Sequence, residues 1–73
     1  MYEYHVTYGA YKKIIKSVSN IAEDIHDPIK KAFGLDHNCS LHLQYWHTKH
    51  SDWVDCEKSD EINEDSKLNV WQK

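Results

Sequence analysis

The sequence predicts a small α+β domain in which one helix packs across one face of a mixed sheet of about four to five strands. A chain of 73 residues has room for one modest core, so residues 1–73 form one domain. Its 40% hydrophobic content, with two Gly and one Pro, indicates a packed globule. Apolar residues alternate near both ends of the chain, which indicates strands. In one segment between them apolar residues recur every four positions, which indicates a single helix.

The first predicted element is a β-hairpin. Apolar and aromatic residues recur at every second position of its first strand, at Tyr2, Tyr4, Val6 and Tyr8. Gly9 then supplies a turn, and residues 11–18 read as the returning strand.

The helix is expected to cover about 14 residues. Asn20 and Glu23 have the spacing of a capping box, and Gly34 followed by Leu35 is typical of a helix C-terminus. Its apolar side is formed by residues spaced four apart, at Ile21, Ile25, Ile29 and Phe33.

Pro28 leaves two interpretations of this helix open. A proline in a helix interior removes one backbone hydrogen bond and clashes with the preceding turn. Either the helix continues through Pro28 with a kink, or Asp27 caps a shorter helix that begins at Pro28.

Three further strands follow the helix. Leu41, Leu43 and Tyr45 alternate with polar or exposed positions, while residues 53–56 and 67–71 form two shorter strand patterns. The order along the chain is therefore β-β-α-β-β-β. Among small folds this order favours one in which the first and last strands lie side by side in parallel and the helix covers the core.

Several short motifs stand at characteristic places in this layout: 6–9 (Val-Thr-Tyr-Gly) before Lys12 and Lys13, 33–35 (Phe-Gly-Leu), 41–45 (Leu-His-Leu-Gln-Tyr) and Asp52–Asp55. With these motifs the chain resembles the ubiquitin-like β-grasp superfamily and, within it, the Phox-and-Bem (PB-one) type of interaction domain. The chain is also similar to the β-grasp domains that open larger multidomain proteins, including sterile-alpha-motif ones. The resemblance implies a non-catalytic protein-interaction module for scaffolding or oligomerisation.

Charge and composition argue against several classes of function. The net charge is −3 and Arg is absent, so the basic surface that binds nucleic acid is missing. No apolar run reaches the roughly 20 residues of a membrane span, and the first residues do not resemble a signal segment. We therefore expect an intracellular protein, cytoplasmic or nuclear, whose partner is another protein rather than nucleic acid or a membrane.

Seven carboxylates between Asp52 and Asp65 form the most charged stretch of the chain. This acidic run is either a solvated loop or a docking face for a basic partner, which would speed encounter through electrostatic steering. Its candidate binding residues are Asp52, Asp55, Glu57, Asp60 and Glu61.

Lysines and tryptophans supply the other candidate contacts. Lys12 and Lys13 lie on the predicted edge strand, where lysines either protect against aggregation or form a basic patch for self-association. Trp46 alternates out of phase with Leu43 and Tyr45, so it should point away from the helix and be free to bind a partner. Trp53 and Trp71 are expected to be partly buried.

Other functions have weaker support in the sequence. A zinc site could draw on His37, Cys39, His47 and His50, but no Cys-x-x-Cys motif accompanies them. Nothing in the spacing marks a catalytic constellation, so we expect neither enzymatic activity nor a cofactor, and both cysteines should be reduced thiols. A metal-binding or nucleic-acid-associated domain, and a stand-alone viral or inhibitor-type accessory protein, remain the alternatives.

Overall fold

The computed structural model describes all residues, 1–73, and contains one helix and a five-stranded mixed sheet. The predicted small α+β fold is confirmed at this level. The elements in chain order are β1 (Tyr2–Tyr8), β2 (Tyr11–Ser17), α1 (Ala22–Ala32), β3 (Leu41–His47), β4 (Asp52–Asp55) and β5 (Lys67–Gln72).

The strands lie across the sheet in the order β2-β1-β5-β3-β4, which differs from their order along the chain. β1 pairs in parallel with β5 and antiparallel with β2. β3 pairs antiparallel with both β5 and β4. The last strand therefore occupies the centre of the sheet, and β2 and β4 form its two edges.

A two-residue turn closes the first hairpin. Tyr8 pairs with Tyr11, so only Gly9 and Ala10 connect β1 to β2. Gly9 has φ +59°, a conformation that costs a residue with a side chain more than it costs glycine. The glycine thus fixes the register that places Val6 and Ile15 on the same face of the sheet.

The helix begins later than the capping pattern predicted and is 11 residues long rather than about 14. Ile21 is the N-cap residue and makes no side-chain capping bond, so the predicted role of Asn20 is wrong. The backbone of the segment after β4 caps the helix instead, because the carbonyls of Lys58 and Asp60 accept the N–H groups of Glu23 and Ala22.

The helix ends as the sequence predicted. Gly34 has φ +68°, and Leu35 donates its N–H to the carbonyl of Lys30 at 2.8 Å, as in a Schellman motif. Pro28 lies inside the helix, so the interpretation in which the helix begins at Pro28 is wrong.

The core lies between the helix and one face of the sheet. Ile25 and Ile29 are fully buried there, and Leu68 and Val70 of the central strand lie beneath them. Tyr4 is also fully buried, and its hydroxyl donates to the carbonyl of Ile62 at 2.8 Å. The helix α1 is too short to cross a membrane, and no other helix is present.

Candidate interaction surface

The face of the sheet opposite the helix carries no covering layer, and we call it the open face. Its side chains alternate along each strand with those of the core. From one edge to the other it is formed by Lys12, Ile14 and Lys16 of β2, Glu3, His5 and Thr7 of β1, Lys67, Asn69 and Trp71 of β5, His42, Gln44 and Trp46 of β3, and Trp53 and Asp55 of β4.

The strand register arranges most of these side chains in two rows that cross the sheet. One row joins Ile14, His5 and Lys67, and it continues to Trp46 and Trp53 when the β3–β5 register is extended by one residue beyond the Tyr45–Leu68 pair. The other row lies two residues away along each strand and consists of Lys12, Thr7, Asn69, Gln44 and Asp55. Each row therefore starts at the β2 edge and ends at the β4 edge.

The open face gathers all three tryptophans of the chain. Trp46 and Trp53 contact each other edge to face with ring centroids 5.4 Å apart. Trp71 stacks on His42 at 4.6 Å. Trp53 and Trp71 are 37% and 38% exposed, so they are partly buried, as expected, although neither belongs to the core cluster.

Asp55 lies on the open face beside these aromatic side chains. Its Oδ1 accepts a hydrogen bond from His42 Nε2 at 2.7 Å and another from Gln44 Nε2 at 2.8 Å. These two bonds lower the pKa of the Asp55 carboxyl below its usual value of 3.8, and the bond from His42 has the larger effect. Asp55 is thus a fixed negative charge at the β4 edge.

The acidic run does not form one continuous face. Asp52 alternates with Trp53, and its Oδ1 accepts the Trp53 N–H at 2.8 Å. Glu57 and Asp60 lie beyond β4 in the segment that caps the helix, where Asp60 Oδ2 accepts the N–H of Glu57 at 2.8 Å. Carboxylates near a helix N-terminus interact favourably with its dipole, which gives this part of the run a structural role.

The later carboxylates of the run line a groove beside Trp46. This acidic groove has a volume of about 620 Å³ and lies between the end of β3 and the segment that leads into β5. Its acidic lining consists of Asp60, Glu61, Glu64 and Asp65. The structure therefore brings Trp46 together with Asp60 and Glu61, and leaves Asp52 and Glu57 outside the groove.

Lys12 and Lys13 lie at the opposite edge of the sheet and face in opposite directions. Lys12 belongs to the open face. Lys13 lies on the helix side, where its Nζ donates to the carbonyl of Ala32 at 2.6 Å and sits 5.4 Å from the centre of the Phe33 ring. Lys13 thus stabilises the C-terminal end of the helix, where a cation is favoured by the helix dipole.

The histidines and cysteines do not assemble a metal centre. His47 and His50 have ring centroids 4.7 Å apart, but no group of three or more His, Cys, Asp or Glu side chains is arranged to hold a metal ion. Both cysteines are free thiols. Burial, reinforced by the charges of Asp60 and Asp55, raises the pKa of Cys56 to about 12, so this thiol is a poor nucleophile at neutral pH.

Sequence reasoning missed several residues of this surface, among them His42, Gln44, Trp53 and Trp71. It did not connect His42 and Gln44 with Asp55, nor place Trp71 on the open face. The alternation of His42 and Gln44 with Leu41 and Leu43 carried the signal for the first two. The position of Trp71 depends on which strand pairs with β5, and that pairing joins residues about 30 positions apart in the chain.

Comparison with protein-family models finds no match for this chain, and comparison with curated proteins finds no significant relative.

Proposed function

We propose that this chain is a non-catalytic protein-interaction module that acts inside the cell and binds its partner through the open face. The observation that carries the proposal is the position of Trp46, Trp53 and Trp71 on a sheet face that nothing covers. Exposed apolar patches mark interaction sites, and Trp is enriched among the residues that dominate binding energy.

The fold we propose for the module is the ubiquitin-like β-grasp, related to the Phox-and-Bem type. The parallel pairing of the first and last strands and the single helix across one face support it. The acidic groove beside Trp46 supports a partner with a basic surface, because carboxylates next to an aromatic ring attract lysine and arginine side chains.

The test is a pull-down from cell extract with immobilised protein, compared between the parent and the Trp46→Ala/Trp53→Ala variant. We expect a partner retained by the parent to be lost from this variant, since the contact area at the centre of the interface is removed. The control is Tyr11→Ala, which removes an aromatic side chain that is 67% exposed and lies on the helix side of β2, off the open face.

The contribution of the groove is measured separately by binding kinetics at two salt concentrations. Glu61→Gln/Glu64→Gln/Asp65→Asn should slow association and flatten its dependence on salt, while dissociation changes little. The matched control is Glu23→Gln/Asp27→Asn, which removes two exposed charges from the helix.

Partner capture that survives the loss of both tryptophans would refute the proposal.

A further inference from the structure

The two edges of the open face carry complementary side chains. At the β2 edge the two rows begin with Ile14 and Lys12, and at the β4 edge they end with Trp53 and Asp55. An apolar side chain therefore stands opposite an apolar one, and a cation opposite an anion, in matching rows. This pattern allows the face to pair with a copy of itself.

A two-fold axis that runs parallel to the strands, above the central strand β5 and midway between two facing sheets, brings these complementary side chains together. Such an axis places the β2 edge of one copy over the β4 edge of the other and keeps every row in register. Lys12 then meets Asp55 of the second copy, Ile14 meets Trp53, and His5 meets Trp46. A two-fold axis perpendicular to the strands would place Lys12 over Ile14 and Trp53 over Asp55, so it loses this match.

We propose that the open face binds a second copy of this chain as a closed, two-fold symmetric dimer. This inference rests on the proposed function, because it names the occupant of the same surface. Two sheets packed face to face lie about 10 Å apart with their strands nearly aligned, and side chains of lysine and tryptophan length can span that gap. Each dimer contains the Lys12–Asp55 and Ile14–Trp53 contacts twice.

The symmetry also sets Lys67 against its own counterpart near the axis. This like-charge contact is unfavourable, but Lys67 also lines the acidic groove, whose carboxylates offset its charge. The contact therefore reduces the affinity of the dimer without preventing its formation.

The size of the face indicates a weak dimer. Four strand spacings of about 4.8 Å and a length of about 20 Å give an area of roughly 400 Å² per copy. The total of roughly 800 Å² is below that of stable protein complexes, about 1,200–2,000 Å². We therefore expect association only at high concentration, with a dissociation constant on the order of 10–1,000 μM.

Sedimentation equilibrium of the purified chain tests the proposal. A concentration range from about 20 μM to about 2 mM suits the weak affinity that is expected for an interface of this area. The mean mass should rise toward twice that of the monomer and go no higher, because a two-fold interface is closed. Lys12→Glu and Asp55→Lys should each weaken association at least about tenfold, since each sets like charges against each other. The double variant Lys12→Glu/Asp55→Lys should regain most of the parent's association.

Lys31→Glu is the matched control, because it reverses an exposed charge on the helix, away from the open face, and should leave association unchanged. Circular dichroism establishes that every variant is folded. A chain that stays monomeric over this range overturns the dimer, as does a double variant that fails to regain association.

A mass that grows past the dimer also overturns the proposal, because it indicates open head-to-tail contact between the β2 and β4 edges. These outcomes are separable from failure of the proposed function. A monomeric chain that still captures another protein through Trp46 and Trp53 leaves the interaction module standing and removes only the dimer.

Discussion

Asp55 illustrates how one exposed residue acquires a defined state from its neighbours. His42 and Gln44 lie two residues apart on β3, so both side chains reach the carboxylate from the adjacent strand. Donors that bind the ionised carboxylate favour it over the neutral acid, and the pKa of Asp55 is therefore lowered.

Removing one donor should raise this pKa. In His42→Phe an aromatic ring can still stack on Trp71, but the bond to Asp55 is lost, so the pKa of Asp55 should move toward its usual value of 3.8. A carboxyl-carbon NMR titration of the parent and the variant measures the change. The same midpoint in both proteins would show that the hydrogen bond does not hold the carboxylate.

The same bonds make stability depend on pH in a defined direction. A carboxyl whose pKa is lower in the folded state stabilises that state above its unfolded pKa, and this contribution is lost as pH falls through the folded pKa. Between about pH 5 and about pH 2 the parent's free energy of unfolding should therefore fall more than that of His42→Phe. Urea unfolding at both pH values tests the sign.

At the scale of the element, the helix depends on other parts of the chain at both ends. The carbonyls of Lys58 and Asp60 cap its first turn, and Lys13 of β2 binds the carbonyl of Ala32 at its last turn. An 11-residue helix with an internal proline is marginal by itself in water. Packing and these tertiary caps therefore supply what the local sequence lacks.

Pro28→Ala should stabilise the protein by about 2 kcal/mol in its free energy of unfolding. The substitution restores an N–H that can bond to the carbonyl of Asp24 and removes the ring's clash with that turn. Loss of the proline's restraint on the unfolded chain offsets about 0.4–1 kcal/mol of the gain. Urea denaturation measures the change, with Lys31→Ala as a control on the exposed helix surface. A less stable Pro28→Ala protein would show that the ring packs usefully where it lies.

At the scale of the whole molecule, the two faces of the sheet differ in how far their apolar side chains are exposed. One face and the helix bury Ile25, Ile29 and Leu43, which are 0%, 0% and 4% exposed. The other face leaves Ile14 60% exposed. The same residue type therefore lies in the core on one side of the sheet and is exposed to solvent on the other.

Alanine substitution should separate these two roles. Ile25→Ala, Ile29→Ala and Leu43→Ala should each lower the free energy of unfolding by roughly 2–5 kcal/mol, through lost transfer energy and an unfilled cavity. That is a large part of the roughly 5–10 kcal/mol expected for a domain of this size. Ile14→Ala should change it by about 0.5 kcal/mol or less. Core variants as stable as Ile14→Ala in urea would contradict the helix-on-sheet core.

Local sequence determined which elements form and which side chains share a face. The alternation in residues 41–46 separated Leu43 from Trp46, and Gly9 and Gly34 marked the turn and the helix end. These features depend on backbone geometry within a few residues, so a single sequence carries them. The helix start was missed because its caps, Lys58 and Asp60, lie more than 30 residues away in the chain.

Only the tertiary structure decided which faces and edges come together. Pairing of β5 with both β1 and β3 placed Trp71 on His42 and set Lys12 and Asp55 at opposite edges of one row. The acidic run is continuous in sequence, but the turn after Asp55 sends Glu57 and Asp60 to the helix N-terminus and leaves Asp55 on the open face. Strand partners and the path of a loop are fixed by long-range packing, whose energy no local pattern records.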